Sequence, residues 1–444
     1  MENKKMSFNI LNNCCGGSSS TGDTQEKTLP IAIIGAGPTG LAAAAHLAAK
    51  KEAFFVIEAG PSVGNHIRQW GHVRLFSSWK FNIDKMAKQL LEESGWKAPI
   101  LTHLPFGSDI VEEYLTPLAN LPIIKPFIHL NAKVVAISKK GLDKMKSVNR
   151  NNQSFVVYVE KDGYTERLEA RAIIDATGTW GQPNPVNADN IWTKEEKELN
   201  LHITYKIPDI NGQDRLKFAN KHVAVVGGGH SAINTILELA TLENVGISWI
   251  LRKGRVEEAY GGESLDELPA RGQLGSRIHE LVDLGKVNVY TPFFIQQISQ
   301  DTSGIKLTGT VHNELKTIEG IDEIIANTGS RPDFSFLREI RLDLDPATES
   351  VSKLAPLIDP NIHSCGTVRP HGEMELRQPE KNFYLVGMKS YGRAPTYLMA
   401  TGYEQVRSVV AHLTGDEAGA KRVELELPET GVCSTNLNGK GSCC

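Results

Sequence analysis

Cysteine is scarce in this chain, with six among 444 residues. That is too few for a disulfide framework at this length. Cys14 and Cys15 are adjacent near one end, Cys433, Cys443 and Cys444 lie near the other, and only Cys365 sits in the body. An excess of one charge is also lacking. Lys and Arg number 48 against 52 Asp and Glu, a net of -4, which argues against a dedicated nucleic-acid binder. No apolar run reaches the roughly 18 residues of a membrane span, and the first residues carry no apolar stretch of a secretory signal. The expectation is a cytoplasmic protein that does not engage the membrane and whose cysteines are thiols. No HExxH, paired CxxC or G-x-S-x-G pattern occurs, so zinc and serine hydrolysis have no support.

What the chain does have is an alternation of short apolar strands and helical stretches, with glycine-rich turns where strands end. This pattern predicts an α/β fold with parallel sheets, and the length suggests two or three domains. One unit occurs twice. Ile31–Ile34 precedes Gly35-Ala-Gly-Pro-Thr-Gly40 and an alanine-rich helix, and His222–Val226 precedes Gly227-Gly-Gly-His-Ser-Ala232 and a second helix. Each unit closes later on a strand followed by Thr-Gly, at Ala176-Thr177-Gly178 and at Asn327-Thr328-Gly329. Two such units predict two Rossmann-like dinucleotide-binding domains.

The first turn has the spacing Gly35-x-Gly37-x-x-Gly40, with Pro38 and Thr39 between. Its glycines serve a tight turn, backbone approach to a pyrophosphate and close helix–strand packing, and the helix N-terminus offers free N–H groups to phosphate. Glu58 ends the next strand, 18 residues beyond Gly40. A carboxylate there accepts ribose hydroxyls. The second turn, Gly227-x-Gly229-His230-Ser231-Ala232, leads to a strand end with no acid. Arg252, Lys253 and Arg255 stand there instead, Arg252 being 20 residues beyond Ala232. A basic group at that point pairs with a 2′-phosphate, although a solvated basic turn gives the same pattern. The acid-ended site therefore suits FAD and the base-ended site NADPH. An enzyme holding both passes hydride from nicotinamide to flavin.

Over roughly residues 30–415 the chain resembles the flavoproteins with two dinucleotide-binding domains, and within them the NADPH-dependent flavin monooxygenases. The matching features are the first glycine turn with Glu58, Gly64-Asn65…Trp70, Phe106–Leu115, and Ala176-Thr177-Gly178 with Pro183 and Pro185. Gly107 stands where that family has proline, and Asn327-Thr328-Gly329-Ser-Arg331-Pro332 is similar to the disulfide-reductase branch, whose redox cysteine pair is absent. The resemblance implies that Trp70, Thr177, Gly178 and Gly387 lie near the flavin, and it offers Asn82 as a polar catalytic group beside it, the alternative being a plain surface asparagine. It also implies an NADPH domain, 206–329, inserted into a discontinuous FAD domain, 29–205 plus 330–427. Residues 1–28 and 428–444 are expected to be mobile tails, with hinges near Pro208–Asp214 and Ser330–Pro332.

The implied reaction is monooxygenation. Reduced flavin takes up oxygen as a flavin hydroperoxide, and a small soft nucleophile (sulfur, nitrogen or a trivalent metalloid) receives one oxygen atom. Vicinal thiols are soft ligands, so Cys14, Cys15, Cys443 and Cys444 are candidate metalloid ligands, or stray cysteines on tails. The C-terminal pair is similar to that of mercuric reductases, whose inner redox pair is absent here, while a soft substrate without an inner dithiol fits the flavin monooxygenases associated with arsenic resistance. Two alternatives stay open. One is an NADPH-dependent flavin reductase of a quinone, disulfide or metal ion. The other is a thiol-based metalloid-binding protein without turnover.

Overall fold

The computed structural model describes residues 29–266, 268–360, 371–394 and 397–425. All six cysteines, including the four candidate metalloid ligands, lie outside those residues.

Sixteen strands are described: β1 (Ile31–Ile34), β2 (Phe54–Ile57), β3 (Ile128–His129), β4 (Lys133–Lys139), β5 (Phe155–Lys161), β6 (Tyr164–Ala170), β7 (Ala172–Asp175), β8 (Ile203–Thr204), β9 (His222–Val226), β10 (Gly246–Ile250), β11 (Asn288–Tyr290), β12 (Phe294–Asp301), β13 (Gly304–Val311), β14 (Glu314–Ile321), β15 (Glu323–Ala326) and β16 (Phe383–Leu385). They form two parallel five-stranded sheets, in the orders β16-β7-β1-β2-β3 and β11-β10-β9-β15-β8. Each sheet is accompanied by an antiparallel three-stranded one, β4-β5-β6 and β12-β13-β14. The two parallel sheets follow directly from the sequence: β1, β2, β7, β9 and β15 are short apolar runs, buried on both faces as parallel strands are. The fold is α/β with two dinucleotide-binding units, as expected.

Helix α1 (Pro38–Ala49) is buried along almost its whole length, from Thr39 to Leu47. Its run of four alanines lets neighbours approach closely, and the late helix α2 (Met399–Leu413) packs on it. One polar residue inside α1 is matched: His46 Nε2 lies 3.2 Å from Asp84 Oδ2, both buried. The first core gathers α1, α2 and the first sheet. Two further clusters line the faces of the second sheet.

The chain passes between the two sheets along two segments that run side by side. Pro183 bridges to Ser330, Asn184 N donates to Gly329 O at 2.9 Å, and Arg331 N donates to Gln182 O at 2.9 Å. The stretch 208–214 is packed instead: Ile210 is fully buried in the second core. β8, at residues 203–204, pairs in parallel with β15 and so joins the second sheet.

Candidate functional site

The two glycine turns have one geometry. Gly35 and Gly227 both have positive φ, 99° and 131°. Gly35 N donates to Ile57 O at 2.7 Å and Gly227 N to Ile250 O at 3.1 Å. A side chain at Gly35 would come within 2.9 Å of the Ala176 carbonyl, and one at Gly227 would strike the Asn327 carbonyl. Each Thr-Gly strand end therefore packs on the turn of its own unit. At Gly40 a side chain would strike the Gly35 carbonyl, while Ala232 is accommodated, fully buried, in the second helix.

Both turns are open where a phosphate would approach. No atom lies within 4 Å of the position a Cβ would take at Gly37 or at Gly229. These residues precede α1 and α3 (His230–Leu239), and neither helix has a side-chain cap at its N-terminus. The first N–H groups of both helices are thus left for a ligand. Glu58 is preset: Oε2 accepts from Ala36 N at 2.8 Å and Oε1 from Gly60 N at 2.7 Å. Each oxygen keeps lone-pair capacity for a ribose hydroxyl. The residues present fit two dinucleotides.

Several expected flavin-side residues converge on the first turn. Gly64, itself at φ 62°, donates to Ala36 O at 3.0 Å, which lays the following segment over the turn. In that segment burial holds the His66 imidazole below its ordinary value, with Glu58 opposing the fall and Lys206 adding to it. The Trp70 ring lies against Gly107, where a Cβ would come within 2.7 Å of it, and 6.4 Å from the Trp180 ring. A glycine after Phe106 therefore makes room for the indole. Gly387, at φ 67°, approaches Thr39 so closely that a Cβ would sit 2.9 Å from Oγ1, and its N–H donates to Gln405 on α2 at 2.7 Å. Tyr397 OH lies 3.3 Å from Thr39 Oγ1.

Asn82 is not a surface side chain; its carboxamide is turned onto its own segment. It is 1% exposed. Its Nδ2 donates to Ser77 O and Ser78 O at 2.8 and 3.0 Å, and its Oδ1 accepts from Ser77 Oγ at 3.1 Å. The carboxamide braces its own turn, and its backbone carbonyl accepts from Tyr403 of α2 at 2.9 Å.

Sequence reasoning missed a buried charge pair beside Thr177. Lys389 and Asp175 are both fully buried, with Nζ 2.7 Å from Oδ2. Nζ also donates to Thr177 Oγ1 at 2.9 Å, and Thr177 Oγ1 donates to Asp175 Oδ1 at 2.8 Å. Lys389 follows Gly387 by two residues, so the pair ties the Ala-Thr-Gly turn to the Gly387 loop. Nothing in the local pattern marks that lysine as internal.

At the second turn, Arg252 and Arg255 are exposed just past β10. Arg252 donates to Ala188 O at 3.3 Å. The stem of Lys253 lies along the turn, within 3.3 Å of where a Cβ at Gly228 would sit. His230 meets a residue of the first unit, its ring 5.3 Å from Phe76. Burial pushes its imidazole down to about 4; Arg271 adds to the fall and Asp266 opposes it. No cluster of three or more metal-binding side chains occurs among the described residues, and no described helix is long and apolar enough to cross a membrane.

Two glycine-turn units, one ending its second strand in an acid and the other in bases, define the class of two-dinucleotide flavoprotein oxidoreductases. The chain belongs to the pyridine nucleotide-disulphide oxidoreductase family, whose sequence model matches residues 32–366. It is an oxidoreductase that uses FAD and NADPH. It is similar to the ferredoxin–NADP reductase of Enterococcus faecalis, 23% identical over 346 residues, 76% of this chain and 83% of that protein. It is also similar to the ferredoxin–NADP reductase of Ligilactobacillus salivarius, 22% identical over 84% of this chain and 90% of that protein. Among solved structures it resembles bacillithiol disulfide reductase from Bacillus cereus, with TM-score 0.63 and 20% identity over 88% of this chain and all of that one. It also resembles the ornithine N-hydroxylase of Kutzneria sp. 744, with TM-score 0.57 and 14% identity over 87% and 99% of the two chains.

Proposed function

We propose that the chain is an NADPH-dependent FAD reductase that delivers electrons from the flavin straight to an external acceptor. FAD, when bound, accepts the nicotinamide hydride and donates electrons onward. The first turn, Gly35 to Gly40, receives the FAD pyrophosphate, and Glu58 accepts its ribose hydroxyls. Trp70, Thr177, Gly178 and Gly387 shape the flavin side. Gly227, Gly229, His230, Ser231 and Ala232 receive the NADPH pyrophosphate, and Arg252, Lys253 and Arg255 neutralise the 2′-phosphate. The division expected from the sequence, FAD-binding segments 29–205 and 330–427 around an NADPH-binding segment 206–329, is adjusted in this reading: the crossing lies at residues 182–184 and 329–331, and β8 belongs with the second unit.

The observation that carries this reading is a pair of matched nucleotide turns in a chain whose sequence has no Cys-x-x-Cys or Cys-x-x-x-x-Cys pair. A redox pair of either spacing, which would relay electrons from the flavin, is absent from the sequence. The relatives named as ferredoxin–NADP reductases support ferredoxin as a candidate acceptor. A second reading is oxygenation of a small soft nucleophile, favoured by the Gly64…Trp70 and Phe106–Leu115 segments and by the likeness to an N-hydroxylase. One assay series separates them. NADPH loss under argon with ferredoxin, quinone or disulfide supports reduction. Substrate-dependent loss that needs oxygen and places labelled oxygen in the product supports oxygenation. Arsenite binding with no NADPH loss under either condition supports a binding protein held by the terminal cysteines.

A further inference from the structure

The two units differ at one informative position. Ala176 and Asn327 are counterparts: each follows the closing strand, each precedes Thr-Gly, and each presents its carbonyl to the first glycine of its turn. Their backbones are held alike, with Ala176 N donating to Ile34 O and Asn327 N to Val226 O, both at 2.9 Å. The first unit has a methyl group at this place. The second has a carboxamide, and its Oδ1 is buried with no hydrogen-bond partner among the described residues. A buried acceptor without a partner is costly and calls for an account.

A second orphan lies against the same turn. Asn184 is 6% exposed and clamps the turn from behind: its Nδ2 donates to Thr328 O at 3.1 Å, and its backbone carbonyl accepts from Thr328 Oγ1 at 2.7 Å. Its Oδ1 is likewise buried and unpartnered. The Asn327 turn is therefore fixed in place, while acceptors on it stay unmet.

Topology says which part of a ligand comes there. The second sheet runs β11-β10-β9-β15-β8, so β10 and β15 flank β9 on opposite sides. A dinucleotide lies across the carboxyl ends of such strands, one half on each side of the central strand. Arg252 follows β10 and takes the adenosine half with its 2′-phosphate. Asn327 follows β15, on the other side.

We infer that Asn327 is a nucleotide-binding residue of the second site, its carboxamide oxygen accepting a hydrogen bond from the nicotinamide half of NADPH. The donor is a ribose hydroxyl or the amide of the nicotinamide. This inference rests on the reading of the second turn as the NADPH site. Asn327 then fixes the position of the half that carries the hydride, while the basic cluster fixes the half that carries the phosphate.

The test is calorimetric titration of FAD-loaded protein with NADP⁺ and with 2′,5′-ADP, which is the adenosine half alone. Asn327→Ala installs the residue the first unit already carries in the same backbone setting. The expected result is a dissociation constant for NADP⁺ raised about three- to tenfold, the worth of one neutral hydrogen bond, with 2′,5′-ADP binding and flavin absorbance unchanged. If the alanine protein does not retain FAD, Asn327→Ser answers the same question and is expected to give the same pattern. Unchanged NADP⁺ affinity, or equal weakening of both ligands, overturns the inference. A wild-type protein that binds neither ligand removes the NADPH reading and this inference with it. Wild-type binding of NADP⁺ that the variant matches removes this inference alone.

Discussion

Replacing Lys389 by Met tests how the flavin-side turn is held. In the native protein the ammonium lies 2.7 Å from Asp175 Oδ2 and 2.9 Å from Thr177 Oγ1, with the Phe336 ring 4.4 Å away. Both charged side chains are fully buried. Methionine has a similar length and keeps the packing against Phe336. It removes the hydrogen bond to Oδ2 and leaves a buried carboxylate whose remaining described donors, Thr177 N and Oγ1, both reach Oδ1. Breaking a buried pair on one side costs about 3–5 kcal/mol. At roughly 2–4 °C per kcal/mol, the apparent melting midpoint falls by about 6–20 °C. FAD leaves earlier as well, because the pair anchors Thr177. The double variant Asp175→Asn with Lys389→Met removes both charges, and it should melt higher than Lys389→Met alone. The assay is thermal unfolding followed by flavin fluorescence. A single variant that melts within about 2 °C of wild type, or a double variant that melts no higher than Lys389→Met alone, would refute the reasoning.

Further expectations concern the second unit and the terminal cysteines. Arg252→Ala should weaken NADPH about tenfold more than NADH, since a charge-assisted bond to a phosphate contributes on the order of 1.5 kcal/mol or more; equal weakening in a binding titration contradicts the 2′-phosphate assignment. Glu238 on α3 is raised to about 7, chiefly by burial and then by Asp209. Its charged form is disfavoured by the fold, so its contribution is most favourable below about 4.5 and is lost as pH rises through about 7. Glu238→Gln should therefore raise the melting midpoint at pH 8 and leave it unchanged at pH 4.5, and an equal rise at both would contradict that sign. Cys443→Ser with Cys444→Ser should leave NADPH-driven flavin reduction unchanged; a large loss of that rate would bring the cysteines into the electron path.

The parts of this molecule that were legible in the sequence are those fixed by local chemistry. β2 and its terminal Glu58 read directly, because a run of four apolar residues ending in an acid leaves few choices. The two glycine turns read for the same reason: positive φ and close backbone approach demand glycine at Gly35 and Gly227. The basic end of β10 was visible as three charges in four residues. What was hidden depends on contacts between distant segments. Lys389 reaches a strand end 214 residues earlier, and a lysine in a polar loop looks solvated until that carboxylate is found. The stretch 208–214 has the composition of a linker, yet Ile210 anchors it in the second core. Asn82 matched a resemblance, but its environment is set by Ser77, Ser78 and a tyrosine over three hundred residues away. Asn327 was visible as a departure from Ala-Thr-Gly, and only the burial of its carboxamide oxygen gives that departure a meaning.

The central claim is that hydride enters from NADPH at the second turn and reaches FAD at the first. The direct measurement is anaerobic mixing of the FAD-loaded protein with NADPH while the flavin's visible absorbance is followed. The account predicts a yellow protein that bleaches, faster with NADPH than with NADH, and recovers its colour when an acceptor is added. A protein that stays colourless after incubation with FAD, or a yellow one that NADPH fails to bleach, would contradict it.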